Sequence, residues 1–277
     1  MRERAFVSSF PPLRPHRALG QNFLRDPNVA RNIIAAIAPG PEDTLLEIGP
    51  GEGALTHELA ARAGRLLIVD LDDRVIERMR AQFSGTAVEV LHDDILSVDL
   101  AVLAARAGHL RVVGNIPYNI TTPILFHLLD HRSVIRDAVL MMQREVARRL
   151  SAVPGSKEYG ILSVATQFSA DVALLFDVPP TVFYPRPTVT STLVHLTMRA
   201  TPRAAVADEA FFRSMVRAVF GKRRKTLRNS LRYFLGAPPP AGIEEFLKHR
   251  PEELPIEDLA RLSNSLFDAQ RAERTPA

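Results

Sequence analysis

Apolar runs of four or five residues recur through the first half of the chain: Leu45 to Ile48, Leu66 to Val69, Val88 to Leu91, Leu110 to Val113 and Ala138 to Met142. They read as buried strands. Between them, segments such as Leu55 to Ala63 and Val75 to Phe83 have helical length and an amphipathic period. This alternation predicts an α/β fold with a doubly wound, mostly parallel sheet. Two later strand-like runs, Ala173 to Val178 and Ser191 to Met198, are expected to close the sheet as an antiparallel, hairpin-like pair. Ahead of the sheet, Asp26-Pro27 has the form of an N-cap with proline at the first helical position, and Val29, Ile33 and Ile37 continue it as a short helix.

Beyond a Thr-, Pro- and Ala-rich stretch from Arg199 to Val206 the strand pattern stops. Apolar positions then recur only at helical spacing: Phe212, Val216, Val219 and Phe220; Leu227, Leu231 and Leu235; Ile256, Leu259, Leu262 and Leu266. The expected division is a sheet domain with an N-terminal extension over residues 1–199 and a small all-helical domain over 200–277. A length of 277 residues accommodates both.

The net charge is only +4, but it is unevenly placed. From Phe211 to Leu235 stand Arg213, Arg217, Lys222, Arg223, Arg224, Lys225, Arg228 and Arg232, with no acid among them. Such a run is costly by self-repulsion unless a polyanion neutralises it; its plainer alternative is a solvated basic helix. Thr226, Asn229 and Ser230 favour nucleic acid over a lipid surface. With no cysteine, disulfides, thiolate metal sites and cysteine nucleophiles are excluded, and the scattered histidines predict no metal. The N-terminus lacks the apolar core of a secretory signal, and no apolar run approaches membrane-spanning length, so a soluble cytoplasmic protein is expected.

Four strand ends carry polar chemistry. Glu47-Ile48-Gly49-Pro50-Gly51-Glu52-Gly53 leads a strand into a glycine-rich turn before a helix, with Gly-x-Gly-x-Gly spacing that suits an adenosyl amino acid better than a dinucleotide. Asp70 ends the next strand, where a carboxylate can bind both ribose hydroxyls, and Asp94 follows the third, where an acceptor can hold an adenine amine. Taken singly, each acid is more often a solvated strand end or a helix cap; a glycine turn and two acids on three consecutive strand ends, which converge on one crevice, shift that balance. Asn115-Ile116-Pro117-Tyr118 leaves the fourth strand with a side-chain amide, backbone carbonyls of Ile116 and Pro117, and an aromatic ring, the parts that would grip a planar base by its exocyclic amine. The alternative is a Pro turn with Tyr118 as core filler. Lys157, Glu158 and Tyr159 lie in a Gly-flanked loop that reads equally as a mobile surface loop or a substrate lid.

Gly20-Gln21-Asn22-Phe23-Leu24, the glycine-rich turn, NIPYN at 115–119, GSKEYGILSV at 155–164, FYPRPTVTS at 183–191 and FGKRRKTLRNSL at 220–231 together resemble the ribosomal RNA adenine dimethyltransferases, most of all their bacterial KsgA type. The resemblance spans about residues 16 to 270, with the motifs in order. It implies a Rossmann-like S-adenosylmethionine-dependent methyltransferase sheet with a helical C-terminal domain. It also implies dimethylation of the N6 amines of two adjacent adenines near the 3′ end of small-subunit RNA, within the 30S subunit or its precursor. S-adenosyl-L-methionine would be held by Asn22, Leu24, Gly49, Gly51, Asp70, Asp94 and Asn115. Asp70 stands where many members carry Glu. The target adenine would sit against Asn115, Pro117 and Tyr118, with Phe183 as a second stacking residue and Tyr184 as its rival. Lys222, Arg223, Arg224, Lys225 and Arg228 would contact RNA phosphates, and the enzyme is expected to act as a monomer. A related large-subunit enzyme that confers macrolide resistance shares the cofactor motifs and Asn-Ile-Pro-Tyr. A non-catalytic RNA-binding assembly factor of the same fold is the other alternative.

Overall fold

The computed structural model describes residues 10–106, 108–221 and 225–274. The chain divides into two compact units: residues up to Arg144 together with Leu175–His195, and Glu145–Leu174 together with residues from Leu196 onward.

In the described residues the strands are β1 (Phe23–Leu24), β2 (Thr44–Ile48), β3 (Arg65–Asp70), β4 (Glu89–His92), β5 (Leu110–Asn115), β6 (Ile135–Gln143), β7 (Ala170–Val178), β8 (Phe183–Tyr184) and β9 (Ser191–Met198). Helices α1 (Pro27–Ile37), α2 (Thr56–Arg62), α3 (Asp73–Gln82), α4 (Leu100–Ala105) and α5 (Thr121–Asp130) alternate with the first strands. The remainder are α6 (Arg144–Leu150), α7 (Ile161–Ser169), α8 (Glu209–Phe220), α9 (Leu227–Leu235), α10 (Glu244–Leu247) and α11 (Ile256–Arg274).

Seven strands form one sheet in the order β4-β3-β2-β5-β6-β9-β7, and β1 pairs with β8 in a separate two-stranded ribbon. Neighbours from β4 through β6 run parallel. Every residue of β2 is buried, as an inner strand covered on both faces requires. Placing β9 between β6 and β7 adds a detail that linear pattern could not supply.

Local signals act where they were read. The Asp26 side chain accepts from Asn28 N at 2.8 Å and Val29 N at 3.2 Å, with Pro27 in the first turn, and α1 then buries Ala30, Ile33, Ile34 and Ile37. Gly114 is dictated by packing. A Cβ there would lie 2.5 Å from the Ile48 carbonyl oxygen on the adjacent strand.

A buried ion cluster sits at the strand starts. Arg111, second in β5, donates through Nη1 to Asp43 at 2.6 Å and through Nε and Nη2 to Asp137 at 2.8 and 2.9 Å. All three are under a tenth exposed. The cluster is far along the strands from the polar strand ends.

The unit that contains α8 to α11 has its own core, in which Phe212, Met215, Val219, Leu231, Leu259 and Leu262 pack with Val164 and Phe168. Tyr159 belongs to this core. It is fully buried, its hydroxyl donates to the Leu254 carbonyl at 3.1 Å, and its ring meets Phe220 edge-on at 6.0 Å. It is therefore neither a lid nor a mobile-loop residue; an aromatic side chain inside a polar, Gly-flanked stretch is pulled inward by burial.

Candidate active site

The carboxyl ends of β2, β3, β4 and β5 surround a cavity of about 290 Å³. Parallel strands bring their ends to one edge of the sheet, so residues far apart in sequence meet there. Asn22, Leu24, Gly49, Gly51, Asp70, Asp94, Asn115, Pro117 and Tyr118 all line it. Phe183 does not. It pairs with Leu24 across the β1–β8 ribbon and is 5% exposed within the sheet core, whereas Tyr184 beside it is 50% exposed.

The glycine-rich turn is held tightly. Gly49 N donates to the Val69 carbonyl at 3.0 Å, and Gly51 has φ +57° with Phe23 so near that a Cβ would fall 2.8 Å from its ring. The N-terminal segment is fastened across this turn. Leu13 N donates to Glu52 Oε1 at 2.9 Å, Arg25 forms a two-pronged ion pair with Glu52 at 3.0 and 3.1 Å, and Gln21 donates to Asp72 Oδ2 at 2.7 Å. That is how Asn22 and Leu24 come to face the turn although they precede it by a helix and a strand.

Asp70 is poised rather than paired. Burial pushes its carboxyl up to about 6, against hydrogen bonds from the Asp72 and Leu71 amides and with the Asp72 charge adding to the rise. Asp72, by contrast, is held down at about 2, chiefly by its hydrogen bonds to Arg74. A carboxylate that accepts ribose hydroxyls must be ionised. Affinity for an adenosyl ligand should therefore fall as pH drops through about 6, toward tenfold per unit below it. Titration calorimetry of parent and Asp70→Asn over pH 5 to 7.5 tests this. The Asn variant should bind more weakly at pH 7 and show no inflection near pH 6; an inflection that survives belongs to another group.

Glu47 was not singled out as a site residue, and its signal was present: an acid inside the otherwise apolar run Thr44–Ile48. It lines the cavity, is 2% exposed, and its Oε2 has no hydrogen-bond partner. Burial, aided by the nearby Asp70 charge, pushes its carboxyl up to about 8. An orphaned buried acid on the wall suits a ligand carrying an ammonium or sulfonium group. Asp94 turns one oxygen inward on its own loop, accepting from Leu96 N at 3.0 Å.

The Asn-Ile-Pro-Tyr segment has its polar atoms sorted. Asn115 Nδ2 donates to the Asn22 carbonyl at 2.8 Å, so its amide is oriented and Oδ1 is presented as an acceptor. The Pro117 carbonyl already accepts from Thr121 Oγ1 at 3.0 Å and Ile120 N at 3.3 Å. Tyr118 Oη and the buried Ser191 Oγ are 2.6 Å apart, which pins the ring; burial raises the phenol above its usual range.

Of the basic residues, Lys225 and Arg228 are exposed in the second unit, Arg228 on α9. Lys222, Arg223 and Arg224 lie outside the described residues. Among the described residues, no helix is long and apolar enough to cross a membrane.

A parallel sheet whose successive strand ends offer a glycine turn, a buried acid and an oriented amide is the framework of a Rossmann-like methyltransferase. The sequence pattern of the family described as "Ribosomal RNA adenine dimethylase" matches residues 13–264. The chain belongs to this family of S-adenosyl-L-methionine-dependent rRNA adenine dimethyltransferases. Among its relatives, the ribosomal RNA small subunit methyltransferase A of Aromatoleum aromaticum is 44% identical over 91% of this chain and 94% of that protein. The protein of the same name from Chromohalobacter salexigens is 45% identical over 95% of both. Among solved structures, a dimethyladenosine transferase from Plasmodium falciparum shares the fold with a TM-score of 0.70, at 24% identity, covering 90% of this chain and 98% of that one. The 23S rRNA methyltransferase ErmE superposes with a TM-score of 0.62 at 29% identity over 89% and 100% of the two chains.

Proposed function

We propose that this enzyme dimethylates N6 of two adjacent adenines near the 3′ end of small-subunit ribosomal RNA, acting as a monomer on the 30S subunit or its precursor and so contributing to ribosome assembly. The observation that carries this reading is the likeness to small-subunit methyltransferases at 44 and 45% identity over more than nine-tenths of each chain. The fold alone does not decide the substrate, because the large-subunit enzyme ErmE has it too.

S-adenosyl-L-methionine, when bound, supplies an electrophilic methyl group. In this reading the Gly49–Gly51 turn, Asn22 and Leu24 enclose it, Asp70 takes the ribose hydroxyls and Asp94 the adenine amine. The target amine of the RNA donates to Asn115 Oδ1 and to a backbone carbonyl. With Pro117 O already accepting two hydrogen bonds, the Ile116 carbonyl is the better second acceptor. Two acceptors on one amine draw it toward a pyramidal shape and aim its lone pair, which is otherwise delocalised into the ring. Tyr118 stacks on the base, and Phe183 becomes a second stacking surface if the β1–β8 ribbon yields. The nitrogen becomes acidic only after alkylation, so no strong base is needed. We assign catalysis to residues 1–199 and RNA docking to helices within 200–277.

The test is methyl transfer to undermethylated small subunits, with N6,N6-dimethyladenine at two neighbouring positions as the expected product by mass spectrometry. Modification of large-subunit RNA alone would overturn the reading. For docking, replacing Lys222, Arg223, Arg224, Lys225 and Arg228 by Ala should weaken RNA binding broadly and lower the magnitude of the log-affinity against log-salt slope by about 0.7 to 0.9 per lost phosphate contact. Cofactor affinity should not change. An unaltered slope would mean that the run is a solvated face.

A further inference from the structure

Outside the cavity, one exposed aromatic is built as a platform. The Arg25 guanidinium lies 4.2 Å from the centre of the Tyr184 ring, and Arg25 is itself held by both Glu52 oxygens at 3.0 and 3.1 Å. Glu52 also accepts from Leu13 N at 2.9 Å, so the cation beneath the ring has little freedom. With one face covered and half of its surface exposed, Tyr184 turns its other face to solvent. A ring used only as packing would not be left open in this way, and a cation used only for solubility would not be clamped against it.

The position of this pair points to its ligand. Tyr184 pairs with Phe23 across the β1–β8 ribbon, and Phe23 and its neighbours Asn22 and Leu24 line the cavity. Asn22 O is in turn held by Asn115, the residue that grips the target amine in the proposed reaction. The platform thus stands beside the target end of the cavity but outside it. Arg186, two residues further along the chain, is also exposed. An open π-face backed by a guanidinium group is complementary to one unpaired nucleotide, with its base on the ring and its phosphate near the cation.

We infer that Tyr184, backed by Arg25, is a stacking subsite for the unpaired RNA base that neighbours the target adenine. This rests on the proposed reaction at an RNA adenine. Its role is to fix the strand so that the target nucleotide, once unstacked, enters the cavity in one orientation. Because two adjacent adenines are modified, the same platform would hold one while the other is in the cavity.

The experiment compares the parent enzyme with Tyr184→Ala, Tyr184→Phe and Tyr184→Trp on undermethylated small subunits. Loss of the ring should weaken substrate binding roughly ten- to a hundredfold, as stacking interactions do on alanine substitution. Phe and Trp should restore it, because the ring and not the hydroxyl acts. S-adenosylmethionine affinity, measured by calorimetry, should be the same in all four proteins. In parallel, an adenine-containing loop RNA with 2-aminopurine beside the target should show fluorescence quenching on binding that Tyr184→Ala abolishes. Parent-like affinity and quenching in the Ala variant would overturn the subsite. A change in cofactor affinity together with failure of Phe to rescue would also overturn it, showing Tyr184 to be a prop for Arg25 and Glu52. If the parent modifies large-subunit RNA instead, the small-subunit reading falls, while the same variants on that RNA still decide the subsite.

Discussion

Replacing Asn115 by Ala is expected to lower single-turnover methyl transfer by about two to three orders of magnitude, the usual loss when a positioned polar group is removed from a transition state. Two effects combine. The variant loses Oδ1, one of the two acceptors that shape the target amine, and it loses the Nδ2 donor that ties the Asn22 carbonyl across the site. Asn115→Asp separates them. It keeps an acceptor oxygen but sets a carboxylate against the Asn22 carbonyl, so the N-terminal segment loosens and cofactor affinity drops alongside the rate. RNA affinity should survive in both variants. Near-normal single-turnover rates for Asn115→Ala would reduce Asn115 to a turn residue.

The largest effect on stability is expected far from the chemistry. Arg111→Ala should destabilise the protein by about 3 kcal/mol, because it removes the guanidinium shared by the buried Asp43 and Asp137 and leaves Asp43 only the largely exposed Arg136, and Asp137 only His195, as close partners. In the parent, burial alone would raise the Asp43 carboxyl, but the Gly40 amide and the Arg111 guanidinium outweigh it and hold the group below its ordinary value. A depressed carboxyl adds stability above its unfolded value and loses it as pH falls through the folded one. In the variant the buried carboxylates are relieved by protonation. The gap between parent and variant should therefore be widest near neutral pH and narrow toward pH 4, as urea unfolding at several pH values would show. A gap that does not change with pH would mean that lost packing of the long side chain, not charge, sets the cost.

Legibility in the sequence followed the range of the interactions. Strands of continuous apolar residues, the Asp26 cap and the glycine-rich turn are local, and each was readable from a few neighbouring residues. Asp70, Asp94 and Asn115 were readable because parallel topology sends strand ends to one edge; their convergence on one cavity follows from the fold class. The Arg111 cluster was not readable, since positions 43, 111 and 137 become neighbours only when β2, β5 and β6 are side by side. Tyr159 misled for the opposite reason. Its surroundings are polar and glycine-flanked, and only the helices that follow provide the core that takes it up. Lys222, Arg223 and Arg224 remain an inference from charge pattern.

The sorting of acceptors around Asn-Ile-Pro-Tyr has a numerical consequence for the proposed reaction. Asn115 Oδ1 and the Ile116 carbonyl offer two places for hydrogen, since the Pro117 carbonyl is taken. An unmodified adenine amine brings two hydrogens, a monomethylated one brings a single hydrogen, and the dimethylated product brings none. The grip on the base thus weakens with each transfer and vanishes at the second. Such a pocket counts methyl groups by the hydrogens they displace, and it lets go of the base when the count is complete.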